Sequence, residues 1–372
     1  MRPRILLFFE YGTLNGGEFS LLAILQALKT SPFEFVAAAP IEGLLTQQLE
    51  QLGIQVHPLI LRDQQGHKHS IEHINKHLLE IIQYISPDLV HSNSLAMGRM
   101  VGRIAPQLSI PCTAHLRDII KLNAKTISDL NQNTGLVAVS KATQQFHVDQ
   151  GLHSEKVQVI YNGIDTERFR PRTKTGQLKQ SLGLSNESFL IANIGQICLR
   201  KGQTVLAQAV ASLAREFPQI NTLIIGQRHS QKHESIANEN NIRSIFAKVG
   251  LDDRLFCLGT RDDIPMILNE IDLLVHTAHQ EPLGRVLLEA AASAQAIVAT
   301  DVGGTAEILT HQQSALLVRP NDPIAVASAI RQLITHTTSR QKLGHQAHQT
   351  ILDKFSLSAA TSQTVRFWES FL

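Results

Sequence analysis

The sequence predicts an α/β protein built from two doubly wound domains. Three observations carry that prediction. Short, continuously apolar runs alternate with amphipathic stretches almost from end to end, the pattern of parallel strands covered by helices on both faces. The alternation lapses once, over about 162–188, and then restarts. The chain has 372 residues, long for one core and comfortable for two.

In the first half, unbroken apolar blocks such as Ile5-Leu-Leu-Phe-Phe9 predict strands over 4–9, 34–39, 55–60, 88–92, 111–115, 135–139 and 157–161. Helical periodicity falls between them, near 18–29, 43–52, 70–85, 94–106 and 141–149. On the 70–85 helix, His69, His73 and His77 recur every fourth residue opposite Ile71, Ile74, Leu78, Ile81 and Ile85. That makes them a solvated stripe; no cysteine and no third cleft ligand joins them as a metal site. Arg99 and Arg103 share a helix face, read as solvated and as the place for any contact with acidic lipid.

Residues 162–188, rich in Lys, Thr, Gln and Ser, read as an interdomain linker. Beyond it, strands are predicted over 189–195, 221–226, 254–258, 272–276, 296–300 and 314–318. Helices are predicted near 203–215, 232–249, 263–269, 285–294 and 322–335. A last helix near 356–370 carries Phe367, Trp368 and Phe371 as packing residues. The expected domains are 1–165 and 166–355, facing one cleft, with 356–372 packing back on the first.

Composition narrows the partners. A charged fraction of 18% with 43% hydrophobic residues excludes a disordered chain. A net charge of +2 gives no electrostatic reason to expect nucleic acid. Cys112, Cys198 and Cys257 are widely spaced and form no CxxC pair, which argues against structural zinc or a disulfide framework and for a reducing compartment. The apolar run Ile5–Phe9 is too short for a signal peptide, and no stretch approaches about 18–20 apolar residues. A cytoplasmic protein is expected, with peripheral contact at the inner membrane face left open.

The most informative stretch is Glu281-Pro-Leu-Gly-Arg-Val-Leu-Leu-Glu289. It follows the strand at 272–276 and enters a helix, so free backbone amides face the mouth of the sheet, as an anion requires. Glu281 and Glu289 repel a phosphate; they suit hydroxyl-rich groups on either side of one. Lys201-Gly202, at another strand-to-helix turn, can set an ammonium against a diphosphate. Gly16-Gly17 before the first helix allows close approach of a ligand to backbone. A GxGxxG fingerprint is missing, which disfavours a dinucleotide-binding oxidoreductase. His115, at a strand end, is a candidate to touch a sugar or acceptor, with Asp118 as its orienting partner or the pair as a simple cap. Asp252-Asp253 and Asp262-Asp263 read as helix caps.

Taken together, these residues resemble the retaining, GT-B-fold nucleotide-sugar glycosyltransferases of family GT4. The likeness spans nearly the whole chain and is strongest over 281–307, EPLGRVLLEAAASAQAIVATDVGGTAE. Asn162-Gly-Ile-Asp165, Ala138-Val-Ser140, Gly16-Gly17-Glu18 and Lys201-Gly202 also match. The resemblance implies two Rossmann-like domains, a UDP- or GDP-sugar donor, an unspecified acceptor, no cofactor and no catalytic metal. It implies that Glu281 binds the transferred sugar, Glu289 the ribose, and Lys201 the diphosphate. Amides around Leu283 and Gly284 would hold sugar or phosphate oxygens. Gly16 would admit the donor to the first domain, His115 would lie near the reacting carbon, and Thr260 and Arg261 near the base. One departure matters: Gln196 stands where relatives commonly have an arginine, and Arg200 or Arg285 is expected to supply the charge. That departure also keeps open a catalytically idle nucleotide-sugar-binding partner of another transferase.

Overall fold

The protein is described by a computed structural model covering residues 2–372. Its chain divides into two compact units, one reaching Gly163 and including Leu357–Leu372, the other Ile164–Ser356.

The first unit holds seven strands: β1 (Arg4–Phe8), β2 (Glu34–Ala39), β3 (Gln55–Pro58), β4 (Leu89–Ser92), β5 (Cys112–Leu116), β6 (Gly135–Ala138) and β7 (Val157–Val159). They form one sheet in the order β3-β2-β1-β4-β5-β6-β7, and every pairing is parallel. Strand alternation explains why β1 is apolar from Ile5 onward. Ile5 and Leu7, with Phe9 just beyond, pack on one face against Leu21, Leu25 and Leu45. Leu6 and Phe8 pack on the other against Ile74, Leu78 and Met97. The helix Leu357–Glu369 completes the first face, with Trp368 fully buried among Phe33, Phe35 and Leu25.

The second unit repeats the design with β8 (Phe189–Ile194), β9 (Ile220–Ile225), β10 (Leu255–Gly259), β11 (Leu273–His276), β12 (Ile297–Thr300) and β13 (Leu316–Val318). The order is β10-β9-β8-β11-β12-β13, again with parallel pairs. The α/β fold class read from the sequence is therefore what the chain adopts. In each sheet the winding direction reverses beside the first strand, between β1 and β4 and between β8 and β11. Ligands of such sheets bind outside the C-terminal ends at that reversal.

Several features differ from the sequence reading. Helices Ala124–Asn131 and Thr337–Lys354 were not predicted. The first explains the arginines. Arg103 Nε donates to Asp129 Oδ2 at 2.8 Å, both side chains nearly buried, and Arg99 reaches Thr126 Oγ1 at 3.5 Å. This pair packs on a neighbouring helix rather than forming a solvated face, which removes Arg103 as a lipid contact. The stripe of histidines is also less simple: His77 Nε2 accepts from the amide of Ile60 at 3.2 Å. Nor is the segment 162–188 free along its length. Glu270 accepts from Thr175 Oγ1 at 2.8 Å and Gly176 N at 2.9 Å, and Lys174 pairs with Asp272 at 2.6 Å. Polar residues that suggested a solvated tether instead dock on the helix Ile264–Glu270 and its exit. Among the described residues no helix is long and apolar enough to cross a membrane.

Candidate active site

The reversal between β8 and β11 brings together two loops that are far apart in sequence. After β8 the chain turns at Gly195 (φ +147) and runs through a tight turn, Leu199–Lys201, to Gly202 (φ +60). A Cβ on Gly202 would lie 2.1 Å from the carbonyl oxygen of Thr277, so only glycine fits. The loops are stitched by Thr277 Oγ1 donating to Gly202 O at 2.8 Å and His279 N donating to Arg200 O at 2.8 Å.

This stitching sets Lys201 against Glu281. Lys201 Nζ donates to Glu281 Oε2 at 2.6 Å, and His276 Nε2 donates to the same oxygen at 2.8 Å. Burial opposes the charge on Glu281, yet Lys201, His276 and Arg200 together hold its carboxyl far below the usual carboxylate range. Burial, then the nearby Lys201, pushes His276 below its ordinary value. The histidine is thus neutral with its proton on Nε2, because a carboxylate offers only acceptors. His276 belongs to this cluster although the sequence reading used it only as the end of a strand. Its position one step before the Glu281 loop was the available signal.

Arg200 and Arg285 are placed differently. Arg200 donates to Gln280 O at 3.0 Å and lies 3.9 Å from Glu281 Oε2. Arg285 Nε is bound to Glu289 Oε1 at 2.7 Å, one helical turn on. Gln196 is exposed. Gly284 (φ +102) starts the helix Arg285–Ala292, whose first-turn amides point back toward the Glu281 loop. Leu283 is 1% exposed, so its side chain packs in the core and not against a ligand. The amide of Gly304 donates to the Glu281 carbonyl at 3.0 Å, tying in the loop after β12. Thr260 and Arg261 follow β10, the edge strand, two positions from β8. There Arg261 forms a two-pronged pair with Asp263 at 2.8 and 2.6 Å. Asp263 therefore holds Arg261 instead of capping the helix it precedes.

In the first unit, Gly16 and Gly17 open the helix Gly16–Ala27, and Glu18 accepts from Asn15 N at 3.0 Å. A Cβ on Gly17 would meet Arg117 Cδ at 2.7 Å. Arg117 is fixed in turn by Asn93 O at 3.0 Å, Asn93 Oδ1 at 2.8 Å and Asn162 Oδ1 at 3.0 Å. His115 is 3% exposed, and its Nδ1 faces His91 Nε2 at 2.8 Å. Its orienting partner is His91, not Asp118, because β4 and β5 are neighbours that place His91 opposite Thr113, two residues from His115. The backbone carbonyl of Asp118 is bonded by His147.

Comparison with known proteins bears on the family and the fold. The family described as glycosyl transferases group 1 matches residues 175–350, and glycosyltransferase family 4 matches 14–168. The chain is 25% identical over 309 residues to D-inositol 3-phosphate glycosyltransferase of Corynebacterium urealyticum, covering 77% of this chain and 72% of that one. It is 24% identical over 297 residues to N-acetyl-alpha-D-glucosaminyl L-malate synthase of Bacillus anthracis, covering 77% and 75%. Its fold is similar to that of Anabaena HepE, solved with UDP and glucose, at a TM-score of 0.86 over 98% of this chain and 99% of that one, with 23% identity. Sucrose-phosphate synthase of Thermosynechococcus elongatus has a similar fold, with a TM-score of 0.81 over 99% of each chain at 16% identity. With one family match on each half and two parallel α/β sheets beneath them, the chain belongs to the group 1, family 4 glycosyltransferases of GT-B fold.

Proposed function

We propose that this glycosyltransferase moves a hexose-type sugar from a nucleoside diphosphate to an acceptor hydroxyl with retention of anomeric configuration. The observation that carries the reading is the cluster of Lys201, Glu281 and His276 outside the ends of β8 and β11. As the bond from the anomeric carbon to phosphate oxygen breaks, its electron pair leaves with the diphosphate. Lys201 spends one of its three N–H groups on Glu281 and offers the others to that growing charge, alongside the amides after Gly284. The acceptor oxygen bonds the same carbon on the face that the diphosphate leaves, and its proton passes to the departing phosphate oxygen.

Glu281, held ionised, accepts from sugar hydroxyls, and Glu289 accepts from the ribose. His115 contacts the transferred sugar, Gly16 and Gly17 admit the donor, and Thr260 and Arg261 lie toward the base. For the charge missing at Gln196 we favour Arg200, which lies beside Glu281, over Arg285, which is engaged by Glu289. Arg200→Ala should weaken donor binding about fivefold, an exposed-arginine effect, and Arg285→Ala should weaken it less. The reverse order reassigns the role. Turnover is proposed to need no metal; its loss in EDTA, restored by magnesium or manganese, would count against that.

HepE was solved with UDP, which supports uridine over guanosine as the base. A thermal-shift panel of UDP, GDP, ADP and TDP tests the site. A nucleotide at a hundred times its Kd adds about 2.7 kcal/mol of stability. UDP should raise the midpoint of the wild type and not of Lys201→Ala. No shift with any nucleotide would count against the donor site itself, and so against both the transferase and the idle nucleotide-sugar-binder readings. Donor hydrolysis by the isolated protein would remove the idle-binder reading that Gln196 motivates.

A further inference from the structure

A buried chain of hydrogen bonds runs from the C-terminal helix to His115. Trp368 Nε1 lies 3.2 Å from His91 Nδ1, and His91 Nε2 lies 2.8 Å from His115 Nδ1. The same His91 Nδ1 is 2.9 Å from Thr113 Oγ1, which itself reaches the Val90 carbonyl at 3.1 Å. Trp368 and His91 are fully buried, so no bulk water is at hand to repair a missing bond.

Two proton arrangements fit the two rings. In the first, His91 Nδ1 is bare and accepts from the indole. Its Nε2–H then donates to a bare His115 Nδ1, and His115 carries its proton on Nε2. In the second, His91 Nδ1–H donates to Thr113, Thr113 donates to Val90, and His115 Nδ1–H donates to His91 Nε2. His115 Nε2 is then a bare acceptor. Counting the indole, each arrangement makes three of these hydrogen bonds. The indole nitrogen decides between them, because it is a donor only. The second arrangement sets two N–H groups head to head at 3.2 Å and leaves the indole buried without an acceptor.

We propose that Trp368 fixes the tautomer of His91, and through it that of His115, so that His115 presents Nε2–H as a donor to the substrate. Trp368 and His91 are positioning residues in this scheme. The inference rests on the reading that His115 contacts the transferred sugar. Burial supports it by keeping the rings neutral: it pushes His91 down to about 3, and holds His115 well below its ordinary value with Arg117 and His91 adding to the effect.

The test is made on the full chain, labelled with 15N at the histidine nitrogens. Long-range proton–nitrogen correlations distinguish the two neutral tautomers, and His91→Phe and His115→Phe assign the signals. In the wild type, His115 should carry its proton on Nε2; a proton on Nδ1 overturns the proposal with no variant needed. Trp368→Phe keeps an aromatic ring against Phe33 and Phe35 but removes the donor. Its His115 should move its proton to Nδ1, with kcat falling about tenfold and the donor KM little changed. Adding Thr113→Val removes the acceptor that draws the proton to His91 Nδ1. The double variant should return His115 to Nε2–H and recover most of the lost kcat, an outcome that a packing role for Trp368 does not give. An unchanged tautomer in Trp368→Phe, or a double variant worse than the single one, overturns the inference. Wild-type protein inactive toward every nucleotide sugar would sink the proposed function instead, while the spectra still decide the tautomer.

Discussion

Lys201 is the residue on which most of the proposed chemistry rests. Its ammonium is close-packed with Glu281, and both side chains are largely shielded from water. Lys201→Met keeps the length of the stem and removes the charge. At saturating donor, kcat should fall about 10²–10³-fold, the loss typical of one preorganised transition-state donor. A fall below tenfold would place the stabilising charge elsewhere. The same variant leaves Glu281 with His276 and Arg200 alone, so its carboxyl should titrate higher than in the wild type, as a carbon-detected NMR titration would show.

At the scale of elements, the turn into the helix Gln203–Leu213 is an instructive case, because strain and collision can be separated. Gly202 and Gly53 both adopt positive φ, +60 and +77. A Cβ on Gly53 meets nothing within 4 Å, whereas one on Gly202 meets the Thr277 carbonyl at 2.1 Å. Gly53→Ala should cost about 1 kcal/mol from backbone strain alone. Gly202→Ala should cost about 3 kcal/mol or more, since the loop must also move. Denaturant melts of the two variants compare them directly, and equal losses would mean that the loop yields freely. The Arg103–Asp129 pair offers a second case between the helices Leu95–Ile104 and Ala124–Asn131. Each alanine variant strands one nearly buried charge and should lose about 3 kcal/mol. The double variant should lose less than the sum, and an additive cycle would show the pair to be uncoupled.

For the molecule as a whole, acid stability follows from buried neutral histidines. His91, His115 and His276 all lie below their ordinary value of 6.5, chiefly because burial disfavours the charged ring. Below that value the unfolded chain binds protons that the native chain does not, so stability falls as pH falls. The slope is about 1.4 kcal/mol per pH unit for each histidine. Melting midpoints should therefore drop from pH 6.5 downward. For His91 the loss continues until about pH 3, where the native ring takes up its own proton. Glu281 adds to the loss below its ordinary value of 4.5, because its native carboxyl stays ionised. His91→Phe should flatten the slope between pH 6 and pH 4 relative to the wild type; an unchanged slope would mean that His91 titrates normally.

The sequence by itself determined what depends on neighbours along the chain. Apolar blocks such as Ile5–Phe9 can only be strands buried on both faces, and their alternation with helices dictates parallel sheets. The strand, turn and helix around Glu281 are likewise local, so that motif could be read directly. Helix Ala124–Asn131 could not, because Ala-Lys-Thr-Ile-Ser-Asp-Leu-Asn is weakly apolar and depends on partners such as Arg103 in another helix. Strand order was equally hidden. Only the placement of β11 beside β8 brings Lys201 within 2.6 Å of Glu281 across 80 residues of chain. The contact between Trp368 and His91 spans 277 residues and follows from where the last helix docks. Such contacts are set by which surfaces must be removed from water together, and local periodicity carries no record of that choice.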